Sequence, residues 1–396
     1  MNTRIFALMA GLLLSALGIH AGTFTVLSTN QNGAGTFRQA LLDANAAPGA
    51  DTISFAITSG GLSLLPTNAL PTITEAVTID GTTQAGYLGT PLIELNGAAS
   101  PNLTDGLRIT AGPVIIRGIL INRFKADGIR ITGGAGHIIQ GNVIGLDAAG
   151  ADQGNLANGI SVTNSSGNLI GGSGAGQRNI ISGNTQNGVV LNGLSASNTV
   201  IQGNLIGLNQ AGTVARANSL NGVLLNGAPF NTVGGSSLGH GNVISGKSQQ
   251  GVRLDGTNAF SNLIRGNVIG LNAASTTALP NTQAGVLVIN APSNTVGGAS
   301  SGQGNLISGN TGSGIQLEGI SARGNVFLAT SSDSTDREPS PEATCSPPPR
   351  ISPPPLSSPA RSTAARAACS RLISIPARRA TRPPTAKARS SSARPT

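Results

Sequence analysis

The chain has 396 residues and a formal net charge of +9, with 56 glycines, 22 prolines, one tyrosine and no tryptophan. So few aromatics leave no platform for stacking bases, and the positive charge is not spread along the chain. From Leu328 onward lie 11 of the 24 basic residues, 13 of the 22 prolines and both cysteines, Cys345 and Cys369. The remainder is close to neutral, so a nucleic-acid partner is excluded, and it must be stable without disulfides.

Residues 1–21 read as a secretion signal. Arg4 supplies the charged start, Ile5–Leu17 the apolar stretch, and Ile19-His20-Ala21 a cleavage site before Gly22. The apolar run is too short for a bilayer span, so no transmembrane segment is expected after cleavage and the protein is expected to be secreted or at the cell surface.

Residues 22–71 read as a strand–helix–strand cap. Thr23–Leu27 is a strand. Thr36 and Gln39 suit a capping box ahead of Phe37, Ala40, Leu41 and Ala44. Pro48 and Gly49 end the helix, and Thr52–Phe55 is a second strand.

Residues 72–327 are repetitive. A motif of Gly, apolar, any residue, apolar occurs at Gly106, Gly128, Gly159, Gly188, Gly222, Gly251, Gly285 and Gly314. The last five spacings are 29, 34, 29, 34 and 29 residues. Asn168, Asn231 and Asn294, and separately Asn179, Asn242 and Asn305, repeat at 63. A fixed period of this kind predicts a solenoid. Each unit holds short β-branched runs bounded by Gly and Asn, such as Gly222–Leu225, Asn231–Gly235 and Asn242–Ser245, so three strands per coil are expected.

Alternation within each motif sends one aliphatic pair inward. The predicted inward column is Leu107/Ile109, Ile129/Ile131, Ile160/Val162, Val189/Leu191, Val223/Leu225, Val252/Leu254, Val286/Val288 and Ile315/Leu317. An interior without polar partners requires this. The fold class predicted is all-β: a right-handed, single-stranded parallel β-helix of coils about 4.8 Å apart, with corner asparagines stacked in amide ladders. The alternating period reflects two corner loops, and the longer ones, from Gly145, Gly207 and Gly270, are expected to project at every second coil.

The stretch Gly35-Thr36-Phe37-Arg38-Gln39-Ala40 resembles the C-S-L-R-E-A motif that names an N-terminal segment of secreted bacterial β-helix-repeat proteins. It departs at the Cys, here Gly35, and at the Glu, here Gln39. The resemblance over 72–327 implies the fold. For function it implies lyases, adhesins and structural stalks alike.

Residues 328–396 break the pattern and read as a disordered Pro/Arg/Ser-rich tail, leaving the coil at Gly314–Phe327 as an open edge. A reading-frame slip accounts for the break. Synonymous codon choices exist for which Arg371–Pro395, shifted by two bases, reads IDFYSSPASDPSAYGEGQVFLGAP, which resembles the C-terminal segment of this family. In this reading Gly324-Asn325-Val326 corresponds to the start of the repeated GNVIGLN text.

Chemistry is sparse. Asp105 and Asp127 precede successive Gly-strand motifs and fall about 5 Å apart, within the range a glycosidase pair needs, although Asp at a corner is also an ordinary turn residue. Arg108 and Arg130 take the outward position of the same two coils, with Arg253 further along, as a ladder for carboxylated sugars or a solvated face. Asp147 and Asp152 share a long loop, and His137 and His240 sit beside loop glycines. No catalytic, cofactor-binding or metal-ligating set is assigned. Arg108, Arg130, Asp105 and Asp127 are the ligand-contact candidates. The function expected is an adhesive or carbohydrate- or matrix-binding scaffold, whose partner is a polysaccharide or a host or matrix surface. The alternative is a polysaccharide lyase or glycoside hydrolase.

Overall fold

The computed structural model describes residues 21–328. The predicted signal sequence, apart from Ala21, and the predicted tail, apart from Leu328, lie outside the described residues. Within them the chain winds through three all-parallel sheets of eight, eleven and nine strands. One coil is Val223–Asn226, Thr232–Gly234 and Val243–Ile244, one strand in each sheet. The sheets are called I, II and III in that order. The three strands are those the Gly- and Asn-bounded runs predict, and the fold is a parallel β-helix.

Register is kept by the motif. Val223 pairs with Val189 below and Val252 above, and Leu225 with Leu191 and Leu254. Fourteen of the sixteen predicted inward residues are buried; the exceptions are Ile315, half-buried, and Leu317, 42% exposed, in the last described coil. Their apolar faces form one continuous core from Val26 to Ile307.

The amino-terminal segment joins this ladder directly. Strand β1 (Thr23–Val26) pairs in parallel with β2 (Asp51–Phe55), and β2 with Val77–Asp80, as the first rungs of sheet II. Helix α1 (Phe37–Ala46) buries Phe37, Ala40, Leu41 and Ala44, the four expected residues. The capping box forms by half. Thr36 Oγ1 accepts from the Gln39 backbone N–H, but Gln39 turns its amide to Asp43, four residues on.

The long loops do not project. They fold back over sheet III as small antiparallel turns, with isolated bridges Leu146–Asp152, Leu208–Ala215 and Leu271–Ala278. The reason is the outer face of sheet III, which is apolar. Leu120, Val143, Ile180, Leu205 and Val243 point outward there and form a second core with Leu146 and Leu208 from the loops. The serines of the repeated I-S-G text secure the cover. Ser182 Oγ accepts from the N–H groups of Gly207 and Leu208 and donates to the Leu208 carbonyl, and Ser245 Oγ accepts from the Gly270 N–H and donates to the Leu271 carbonyl.

The final strand corrects the sequence reading. Val326–Leu328 pairs with Thr295–Gly297 in sheet II, not with a third-sheet strand. Asn325 accepts from the Asn294 N–H, so it continues the Asn231/Asn294 corner. The repeat next calls for Gly-Asn, as at Gly266-Asn267, and the sequence has Ala329-Thr330. The text therefore departs from the repeat at the end of a sheet II strand, one strand earlier in the coil than the GNV match suggests.

Candidate functional site

Four buried side-chain ladders run along the corners, and they decide what the candidate residues do. Between sheets II and III, Asn142, Asn179, Asn204, Asn242, Asn267 and Asn305 stack. Each Nδ2 donates to the Oδ1 of the next coil at 2.9–3.2 Å. Backbone N–H groups of the same residues add a second donor to each oxygen. A further ladder follows sheet III, through Asn155, Asn184 and Asn218, and through Asn281 and Asn310. The predicted amide ladders are thus present. They satisfy backbone groups that corners would otherwise bury without partners.

The corner from sheet I to sheet II carries the third ladder, and His137 holds a place in it. The series is His137, Asn168, Thr199, Asn231, Asn262, Asn294 and Asn325. The residue before each of the later members adopts a left-handed conformation: Gly167, Asn198, Phe230, Ser261, Ser293 and Gly324 have φ between 54° and 68°. His137 Nδ1 accepts from the Val114 N–H at 3.1 Å, and its Nε2 lies 3.0 Å from the Gly133 carbonyl, which fixes a neutral Nε2–H tautomer. Burial pushes its pKa below the usual histidine value. A histidine so shifted charges more readily unfolded than folded, so stability is lost as pH falls below about 6.5. A urea midpoint that drops between pH 7 and 5, less steeply in His137→Asn, is the expected result. Equal slopes would contradict it.

The fourth ladder contains the ligand-contact candidates. It precedes sheet I and runs Asp105, Asp127, Asn158, Asn187, Asn221, with opposite polarity: each later coil donates to the earlier one. Asn158 gives Asp127 Oδ1 both its N–H and its Nδ2, each at 2.9 Å. The Asp127 N–H in turn donates to Asp105 Oδ1. A head-to-tail series of amides ends in unsatisfied donors, and a carboxylate accepts them without offering any. Arg130 neutralises the end, with Nε 3.0 Å from Asp105 and an Nη 2.9 Å from Asp127. Burial pushes the Asp127 carboxyl up, opposed by the Asn158 bonds and the Arg130 charge.

The structure therefore brings Asp105, Asp127 and Arg130 together and leaves Arg108 apart. Arg108 and Arg130 are in register on sheet I. Arg108 is exposed, and its guanidinium has no hydrogen-bond or ion-pair partner among the described residues. Outward from it the row continues Arg130, Ser161, Val190, Leu224, Arg253, Leu287 and Gln316. Val190 and Leu287 are buried. Arg253 pairs with its own strand neighbour Asp255 at 2.6 Å.

Three further carboxylates are engaged as well. Asp147 Oδ1 accepts from the N–H groups of Ala149 and Ala151, and Asn209 and Asn272 do the same in their loops through an amide oxygen. That shared task explains why Asp and Asn interchange at this position. Glu94 accepts from Ser63 and Asn122 and lies 3.5 Å from Arg123. Asp80 pairs with Arg117 and Thr82, and its pKa is lowered by these bonds against an opposing effect of burial. Among the described residues no three His, Cys, Asp or Glu side chains gather as a metal site would require.

The ladder role of Asp105 and Asp127 had a sequence signal. The residues before successive Gly-strand motifs read Asp, Asp, Asn, Asn, Asn, Gln, at positions 105, 127, 158, 187, 221 and 250. A second signal, Lys247 in NVISGK where the matching texts have Asn184 and Asn310, marks a residue with no counterpart in the other coils.

No family model matches this chain, and no curated protein matches it. Among solved structures it is similar to the A-module of the Azotobacter vinelandii mannuronan C-5 epimerase AlgE4, at 16% identity and TM-score 0.35, over 71% of this chain and 78% of that one. It is similar to the periplasmic alginate epimerase AlgG at 15% identity and TM-score 0.38, over 79% and 69% of the two chains. The Dettilon tailspike protein matches at 13% identity and TM-score 0.33, over 76% and 68%. None of the three exceeds 16% identity, and the parallel β-helix assignment rests on the sheets themselves.

Proposed function

We propose that this protein is a secreted or surface-exposed β-helix scaffold that binds a polysaccharide or a matrix surface along the outer face of sheet I. One observation supports this reading above the others. Asp105 and Asp127, the pair spaced for glycosidase chemistry, are tied by Asn158 and Arg130 into a corner ladder, while Arg108 beside them stays exposed and unpaired. An acid–base pair needs carboxyl oxygens that can reach a substrate proton. An exposed guanidinium is suited to carboxylated sugars.

The test is co-sedimentation with insoluble acidic and neutral polysaccharides, run beside an assay for reducing ends or unsaturated products. Binding to the acidic polymer, weakened up to about fivefold in Arg108→Ala, is expected, since exposed ion pairs contribute about 0.2–1 kcal/mol. Turnover abolished in Asp105→Ala or Asp127→Asn would replace this reading with the lyase or hydrolase one.

A further inference from the structure

The ladder that follows sheet III is broken at one place, and the break is a lysine. Asn155 passes to Asn184, and Asn184 to Asn218. Asn281 passes to Asn310. Between them stands Lys247, whose backbone keeps the pattern: its N–H donates to Asn281 Oδ1 at 3.1 Å. Its side chain does not. Lys247 is 1% exposed, and Nζ has no hydrogen-bond partner. Asn218, which should donate to the next side chain, bonds through Nδ2 only to the Ile181 carbonyl.

The amine occupies the place of an amide oxygen. A β-carbon at Gly145 or Gly270 would meet Oδ1 of Asn184 or Asn310 at 2.6 Å. At the equivalent Gly207, with φ of 83°, it would collide with Lys247 Nζ. Glycine at 207 is what leaves room for the longer side chain. An ammonium at that point would set donors against the Asn218 donors, where each neighbouring coil has an acceptor.

No charge nearby offsets this. The loop 208–221 carries one charged residue, Arg216, which turns to Asp152 and the Gly150 carbonyl. The loop 271–284 carries none. On the strand that follows, Arg253 and Asp255 pair with each other. Burial alone pushes the Lys247 amine well below the usual lysine range.

We propose that Lys247 is held as an uncharged amine, and that the coil junction it shares with Gly207–Gly222 is the joint at which the rod first opens, more readily as the pH falls. The sign follows from linkage. The opened chain takes up a proton that the closed one refuses, so closure is favoured less and less from about pH 10 downward. A local opening of this kind is a property of one coil, since each coil of a solenoid contacts only its neighbours.

Two measurements test it. In hydrogen exchange at pH 7, peptides over 207–222 and 246–252 should be roughly tenfold less protected than the matching peptides over 145–159 and 183–189, and Lys247→Asn should remove the difference. In urea unfolding, Lys247→Met cannot restore the ladder but cannot take up a proton either, so its midpoint should exceed that of the parent by a margin that widens from pH 10 to pH 7. The chain has only Lys125, Lys247 and Lys387, so labelling with an amine reagent is readily assigned. Lys125 should react in the native protein and Lys247 should not. Equal protection at the two junctions, a margin independent of pH, or labelling of Lys247 at the rate of Lys125 would each overturn the proposal.

Discussion

Asn204→Ala is expected to lower the free energy of unfolding by about 3–5 kcal/mol, a large effect for one polar side chain. Asn204 is buried at the corner between sheets II and III. Its Nδ2 serves the Ile170 and Gln202 carbonyls and Asn242 Oδ1, and its Oδ1 takes both the N–H and the Nδ2 of Asn179. Truncation leaves the Asn179 N–H and one Asn179 Nδ2 hydrogen without their acceptor, and buried orphans cost about 1–3 kcal/mol each. Water cannot relieve them easily, because the corner is closed by the coils on both sides. Asn192→Ala is the control. Asn192 also accepts from an asparagine one coil on, Asn226, at 2.7 Å, but both are exposed. Its loss should stay within about 0.5 kcal/mol. Urea midpoints of the two variants, compared at one pH, separate the cases. Similar losses would mean that burial does not set the strength of the ladder.

Asp127 distinguishes a structural carboxylate from a chemical one. Asp127→Ala should cost about 2–4 kcal/mol, because both Asn158 donors lose their acceptor. Arg130, 37% exposed on its side chain, can turn to water, so its ion pair adds little. Asp127→Asn should cost under about 1 kcal/mol and is expected to be well folded. The amide oxygen still accepts from Asn158, and its Nδ2 meets Asp105 as Asn158 meets Asp127. Removing a carboxyl whose ionised form is disfavoured by burial works in the same direction. The pH dependence carries the matching sign. A carboxyl with a raised pKa weakens the fold above that value, and acidification through it relieves the strain. Asp127→Asn should lack that relief. An Asn variant as unstable as the Ala variant would show that the charge, and not the acceptor, is what the corner needs.

The register of the solenoid was legible because its cause is local and repeated. A Gly-strand motif every 29 or 34 residues, with aliphatic residues at alternate positions, has one economical burial, and the inward column follows from it. The helix from Phe37 was legible for the same reason, since its apolar spacing and its cap lie within ten residues. Corner ladders could be anticipated from the recurring asparagines. What each ladder member does could not, because a side chain's role there is set by the coil above and the coil below, 22 to 41 residues away. Asp127 reads as half of an acid pair until Asn158 and Arg130 are placed on it. The long loops read as projections until the apolar outer face of sheet III gives them something to cover. Gly324-Asn325-Val326 reads as the start of a third-sheet strand, and the bond from Asn294 to Asn325 assigns Val326–Leu328 to the second. The period, the inward faces and the corner residues are properties of neighbours along the chain and can be read from it directly. Tertiary structure alone decided hydrogen-bond polarity, the cover over sheet III and the isolation of Lys247, because each depends on which donor meets which acceptor across coils.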